Sequence, residues 1–296
     1  RPIISLSRPD MKQLLAPTLQ HYRLSATHIN AFLDVSRDGP QGFLLQHLLH
    51  FPSADSPAAA YGRVIHGVLQ RAHNHLTATG HQRPPEDILH DFETSLTRQS
   101  LADNDLTVYQ QKGSASLQAF LASRYGTFTA DQRAEVDFSG QGVVIGDAKL
   151  TGAIDLINVD TTAKTMSVTD YKTGRPVRTW TGKADYEKIK LHKYRYQLLF
   201  YKLLAEQSRE YAGYTVGEGV VQFVEPTKAG EVVALDTSFT NEEVAEFTKL
   251  IQIIWKHVIA LDLPDTSGYE QNYKGILAFE QDLLAELDSQ NLSETD

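Results

Sequence analysis

Residues 168–176 read VTDYKTGRP. Val168, Thr169 and Tyr171 belong to a β-prone run, yet an acid and a base sit inside it, one residue apart. Side chains of a strand alternate between its two faces, so Asp170 and Lys172 point the same way. One strand earlier, the segment GAIDLI (152–157) carries Asp155. If the two strands are neighbours, Asp155 and Asp170 converge. Paired carboxylates repel unless positive charge lies between them. A divalent cation meets that need, and oxygen ligands suit magnesium. Protonated Lys172 cannot ligate such an ion; it can offset negative charge that develops on a reacting group, or orient a water.

Around this stretch the chain is organised in two halves. The first reads as helical. LSATHINAFLDV (24–35) forms a short helix with Ser25 as its N-cap, SRDGP breaks it, and QGFLLQHLLHF (41–51) forms a second. AAAYGRVIHGVLQRAHNHL (58–76) is amphipathic, with Ile65, Leu69, Ala72 and Leu76 in its apolar stripe. His66 lies at the flank of that stripe, where it can reach over the core edge; His73 reads as a surface residue. Residues 83–101 and 113–128 continue the helical half. From about residue 133 strands follow: AEVDFS, GQGVVIGDAKL, GAIDLINVD and TMSVTDYKTG, with TTAK (161–164) as a hairpin turn. A long helix (188–208), a strand (217–225) and a further helix (241–261) complete the order, and SQNLSETD reads as a frayed end. Helices, sheet, helix, strand and helix around one core predict a single α/β domain with a central sheet flanked by helices.

Composition excludes some functions. The 296 residues are 41% hydrophobic, ordinary for a protein with a real core, and the formal net charge of -9 gives no global basic signature for nucleic acid. Any nucleic-acid contact has to use a local patch. There is no cysteine, which excludes disulfides, thiolate zinc sites and cysteine-held iron–sulfur clusters and fits a reducing, cytoplasmic setting. No apolar run is long enough to cross a bilayer, so no membrane association is expected. The start, RPIISLSRPD, has neither Met nor a signal-peptide core, so the chain reads as a piece of a longer protein. No GxxxxGK[ST] motif provides an ATP motor.

YGRVIHGVLQ, GAIDLI, VTDYKTG and YQLLFY, in this order, resemble the RecB-like branch of the PD-(D/E)xK nuclease superfamily, which includes nuclease domains at the C-terminus of UvrD/Rep-type DNA helicases. LSATHINAFLDVSRDGPQGFLLQHLL resembles the opening of such domains. The resemblance runs from about Leu24 to about Leu284 and implies a restriction-endonuclease-like core with a mixed sheet. It divides the chain into a leading segment (1–23), a nuclease domain (24–288) and a flexible tail (289–296). It implies metal-dependent hydrolysis of DNA phosphodiesters with Mg2+ or Mn2+, exonucleolytic or endonucleolytic, in repair or recombination, alongside a helicase in the same chain or complex and in association with the nucleoid. His66, Asp155 and Asp170 match its metal-ligand positions, with the backbone carbonyl of Tyr171 as a further ligand; Lys172 matches the catalytic lysine. Gln197 and Tyr201 match a QxxxY pair that positions DNA. Several relatives hold an iron–sulfur cluster on four cysteines; here the early position is Val35.

The residues themselves fit this reading. Gln197 and Tyr201 are an i,i+4 pair on one helix face, and Lys190, Lys193 and Tyr194 fall near the same stripe, a basic and aromatic strip suited to phosphates and bases. Glu135 and Asp137 share a strand face, so Glu135 is a secondary acidic candidate. Blander readings stand beside these. Asp170 and Lys172 also fit a solvated pair, His66 a packing histidine, and Gln197 with Tyr201 a helix packed on a sheet. Lys149, Arg175, Arg178 and Lys183 flank the core strands as surface charges or phosphate contacts. A domain of this kind that binds or scaffolds DNA without cutting it is the rival function, and a nuclease gated by its helicase the third.

Overall fold

The computed structural model describes residues 8–51 and 56–293. A five-stranded sheet runs through the molecule in the order β1 (Gln132–Asp137), β4 (Ala153–Asp160), β5 (Thr165–Lys172), β6 (Thr215–Phe223), β7 (Ala234–Thr237). β5 and β6 are parallel and the other neighbours antiparallel. The sheet is therefore mixed, as expected. The hairpin between β4 and β5 turns at residues 161–164, where the Asp160 carboxylate accepts from the backbone N–H of Thr162 and Ala163, both at 2.9 Å. Short polar side chains favour such turns because they bond their own backbone.

Helices cover both faces. On one lie α4 (Pro57–Thr79), α5 (Pro85–Thr97) and α6 (Asp103–Arg124). Their apolar stripes, including Ile65, Leu69, Phe92, Leu117 and Phe120, close on Leu156 and Tyr171 of the sheet. On the other lie α2 (Ala26–Leu33), α3 (Gly39–Phe43), the crossover helix α7 (Asp185–Glu206) that joins the parallel pair, α8 (Asn241–Ala260) and α9 (Tyr273–Ser293). Phe32, Ile154, Val168, Leu198, Phe223 and Ile254 lie in that second core. Ser25 caps α2, accepting from His28 N–H at 3.3 Å, as its place before the apolar run predicts.

Several elements differ from expectation. GQGVVIGDAKL yields only a separate two-stranded ribbon, β2 (Val144–Ile145) and β3 (Ala148–Lys149), turned at Gly146 with φ +56°. Lys149 is exposed on this ribbon, away from the main sheet. The helix α1 (Arg8–Gln20) and the edge strand β7 were not legible as elements. His73 is not a surface residue. It is fully buried, its imidazole is 3.8 Å from the Phe128 ring centre to centre, and Nε2 lies 3.0 Å from the Tyr171 hydroxyl. Burial keeps it neutral, with its pKa lowered to about 4.

Candidate metal centre and active site

The register of the sheet sets the acids. Leu156 pairs with Thr169, so continuing the antiparallel β4–β5 ladder by one rung brings Asp155 opposite Asp170. On the other side of β4, Ala134 pairs with Leu156 and Val136 with Ile154. Between those two rungs Glu135 faces Asp155. Glu135 has φ +49°, a left-handed conformation in mid-strand that non-glycine residues rarely adopt. It breaks the alternation: Ala134 packs against the core under α4, while Val136 packs against the opposite core. Glu135 and Asp137 therefore do not act together. Asp137 instead accepts from Ser139 N–H at 2.8 Å and Ser139 Oγ–H at 2.6 Å.

α4 lies over this point and delivers His66. Its Nδ1 is 3.3 Å from Asp155 Oδ2 and 3.8 Å from Glu135 Oε1. One ligand atom from each of His66, Glu135 and Asp155 falls within 4.8 Å of the others, a spacing that could hold a metal ion. The three open on a cleft of about 420 Å³ that also touches Gly62, Gln70 and Ala153.

Asp155 and Asp170 are tied together from behind. Tyr201 of α7 is buried, and its hydroxyl lies 3.3 Å from Asp155 Oδ1 and 3.3 Å from Asp170 Oδ1, so it donates between them. The backbone N–H of Tyr171 donates to Asp155 Oδ2 at 2.8 Å. Lys172 Nζ stands 2.7 Å from Asp170 Oδ2, an ion pair. That oxygen is buried against the ammonium.

The charges respond to this crowding. Burial works against a proton on His66, but hydrogen bonds to Asp155 and Glu135 and the nearby carboxylates outweigh it and push its pKa up to about 10. Burial also raises Asp155, yet His66, Lys172 and the Tyr171 N–H hold it below the usual carboxylate range. Asp170 shifts the other way: burial, reinforced by Asp155, raises it despite the neighbouring Lys172.

The strip on α7 divides. Tyr201 faces inward and is spent on the carboxylates. Gln197 is half-buried beside it and lines a second cleft of about 360 Å³ with Lys193, Asn30 and Arg37. Lys193 is held by the buried Asp34 at 2.5 Å. Tyr194 lies under two ammonium groups, with Lys172 at 5.2 Å and Lys190 at 5.5 Å from its ring centre. Lys190 also donates to the Arg175 carbonyl at 2.8 Å. Sequence reasoning reached Lys172, Asp170, Asp155 and His66 together. It held Glu135 only as a secondary candidate, and it did not foresee the Tyr201 hydroxyl between the acids.

A mixed α/β sheet brings acids from adjacent strands together beside a lysine two residues past one of them. The chain belongs to the PD-(D/E)XK nuclease superfamily, whose family model matches residues 23–272. No curated protein sequence matches it significantly. Among solved structures it is similar to a protein from Eubacterium rectale described as a candidate exonuclease, with a TM-score of 0.54, 12% sequence identity and 89% of each chain covered. At that identity the likeness is one of fold. No helix among the described residues is long and apolar enough to cross a membrane.

Proposed function

We propose that this chain is a divalent-metal-dependent deoxyribonuclease of the RecB-like branch, the nuclease module of a helicase–nuclease in DNA repair or recombination. The observation that carries the reading is the meeting of His66, Glu135 and Asp155 at one cleft, with Asp170 joined to Asp155 through the Tyr201 hydroxyl and paired with Lys172 behind them.

The residues suit Mg2+ or Mn2+. Their donors are carboxylate oxygens with one imidazole, the hard set these ions take, and the imidazole favours Mn2+. Three acidic side chains, Glu135, Asp155 and Asp170, stand against two basic ones, His66 and Lys172. His66, Glu135, Asp155, Asp170 and the Tyr171 carbonyl would hold the ion. When bound it would make a water more acidic and polarise the scissile phosphate. Lys172, held on Asp170 and over the Tyr194 ring, orients the attacking water and offsets charge that develops on the phosphate oxygens. Tyr201 keeps the two aspartates at a fixed spacing. Gln197, Tyr194, Lys190 and Lys193 line the approach of the DNA.

Digestion of end-labelled single- and double-stranded DNA tests this. Cleavage is expected with Mg2+ or Mn2+ and is lost with EDTA, in Lys172→Ala and in Asp170→Ala. Cleavage retained in both variants overturns the site. DNA binding with no cutting under either metal would favour a scaffolding domain, and cutting restored by a helicase added in trans a gated one.

A further inference from the structure

α7 bears a second feature on the side opposite the acids. A cavity of about 510 Å³ opens there, lined by Trp180, Lys188, His192, Arg195 and Tyr273, among others, and by no Asp or Glu. Of its three basic side chains, His192 meets Glu280 at 2.7 Å and Arg195 meets Glu243 at 2.5 Å, which leaves Lys188 as the lining cation with no acid against it among the described residues. The volume falls within the roughly 300–1,000 Å³ typical of small-ligand sites.

The loop leading to it, residues 173–184, leaves directly from Lys172 and carries Arg175, Arg178 and Lys183 with Trp180 among them. Two further acids close by accept from backbone N–H groups. Glu187 accepts from the backbone N–H of Lys183 at 3.0 Å and of Ala184 at 3.2 Å, and Asp185 accepts from Tyr273 N–H at 3.0 Å. Arg178 pairs with Glu231. Lys183 and Lys188 make no ion pair with an acid among the described residues and are exposed. Trp180 is fixed by its edge: its indole N–H donates to the Asp236 carbonyl at 2.8 Å. The Arg195 guanidinium, 6.0 Å from the Trp180 ring, is itself held by Glu243 at 2.5 Å. Trp180 and Tyr273 line the same cavity, yet among the described residues they form no ring pair with each other. Fixed aromatic surfaces beside unpaired cations suit a polyanion with exposed π-faces.

The geometry points to a binding site for single-stranded DNA here, with an unpaired base against Trp180 and Tyr273 and the flanking phosphates on Lys183 and Lys188. Loop 173–184 joins it in sequence to the strand that carries Lys172. Bases of a duplex are already stacked and do not fit. The inference rests on the reading of DNA as substrate, but it concerns binding away from the acids and is testable without cleavage.

Trp180 is the reporter. The protein has two tryptophans, and the other, Trp255, is 8% exposed in the core. In EDTA, where nothing is cut, a short oligothymidylate should quench the emission of the full chain, and Trp180→Phe should abolish the quench. The double variant Lys183→Glu/Lys188→Glu should weaken the apparent affinity roughly tenfold and flatten the slope of log K against log salt by about 1.4, near 0.7 per lost phosphate contact. Quenching that persists in Trp180→Phe overturns the site. So does an equal quench by the duplex or by thymidine monophosphate, or an unchanged affinity in the double variant. Far-UV circular dichroism checks folding, and Lys183→Gln/Lys188→Gln replaces the charge reversal if that variant misfolds. Cutting without quench sinks only this inference; quench without cutting sinks only the nuclease reading.

Discussion

At Lys172 the ammonium is shared between Asp170 at 2.7 Å and the Tyr194 ring at 5.2 Å, so it is held in place rather than free to sweep the cleft. Removing a pre-positioned charge of this kind costs about 10²–10³-fold in rate. Lys172→Ala should therefore lose cleavage by about that factor while Mn2+ still binds, as isothermal titration would show; loss of both would mean the lysine only holds Asp170 in place. His66 leads to a prediction about pH. Its folded pKa is raised from 6.5 to about 10. A raised pKa means the folded state binds the proton more tightly, so its stabilisation is complete below pH 6.5 and is lost as pH climbs through about 10. Each pKa unit is worth about 1.4 kcal/mol, so the loss in EDTA is on the order of a few kcal/mol. Thermal melts in EDTA should fall across that window, and His66→Gln should flatten the fall. Asp170 and Lys172 were readable together from strand alternation, with Asp155 one strand away, and His66 joined them only through the resemblance of the ordered segments. Glu135 was readable only as a secondary candidate: its place beside Asp155 depends on a left-handed φ that no residue preference announces. His73 lies seven residues beyond His66, near the same stripe, and only the packing of Phe128 and Tyr171 decides that it is buried.

Strand β1 and helix α6 each turn on one residue. In β1 the backbone pays for the aim of Glu135 by holding φ at +49°. Left-handed conformation costs a non-glycine residue about 1–2 kcal/mol, and more for a β-branched one. Glu135→Gly should be more stable than Glu135→Val by at least about 1 kcal/mol in urea unfolding, while both weaken metal binding. Equal stabilities would mean that φ relaxes at no cost. In α6, Gly113 meets the Phe92 ring of α5, where an added Cβ would stand 2.0 Å from Cζ. Phe92 is fully buried and cannot step aside cheaply. Gly113→Ala should destabilise by about 1–3 kcal/mol, although alanine is the better helix former. A stabilised variant would sink this account of the α5–α6 contact. Long amphipathic helices and the β4–β5 hairpin were legible because their periodicity is strong. The four-residue β7 was not, since so short an edge strand has no periodicity to read. The β2–β3 ribbon misled because an apolar run can pair locally as well as join the main sheet.

The whole molecule is two cores on either side of one sheet, and the acid cluster lies where they approach. His66 comes from the helical layer α4–α6, whereas Glu135, Asp155 and Asp170 belong to the sheet, and Tyr201 reaches them from the opposite layer. A divalent ion held by His66 and the acids would tie layer to sheet and bind only the folded state. At a hundred times its Kd such a ligand stabilises by about 2.7 kcal/mol. For a chain of this size that is a rise in melting temperature of roughly 5 °C. His66 must give up its proton to ligate, and that proton is held up to a pKa of about 10. The increment from Mn2+ should therefore grow with pH between 6.5 and 10, the window in which the metal-free protein grows less stable. The two trends have opposite signs because one proton is at stake in both: it stabilises the metal-free fold and competes with the ion. Melting curves with and without Mn2+ should accordingly diverge as pH rises in the native chain and stay parallel in His66→Ala. Parallel curves in the native chain would remove His66 from the ligand set and leave the ion, if bound, to the carboxylates alone.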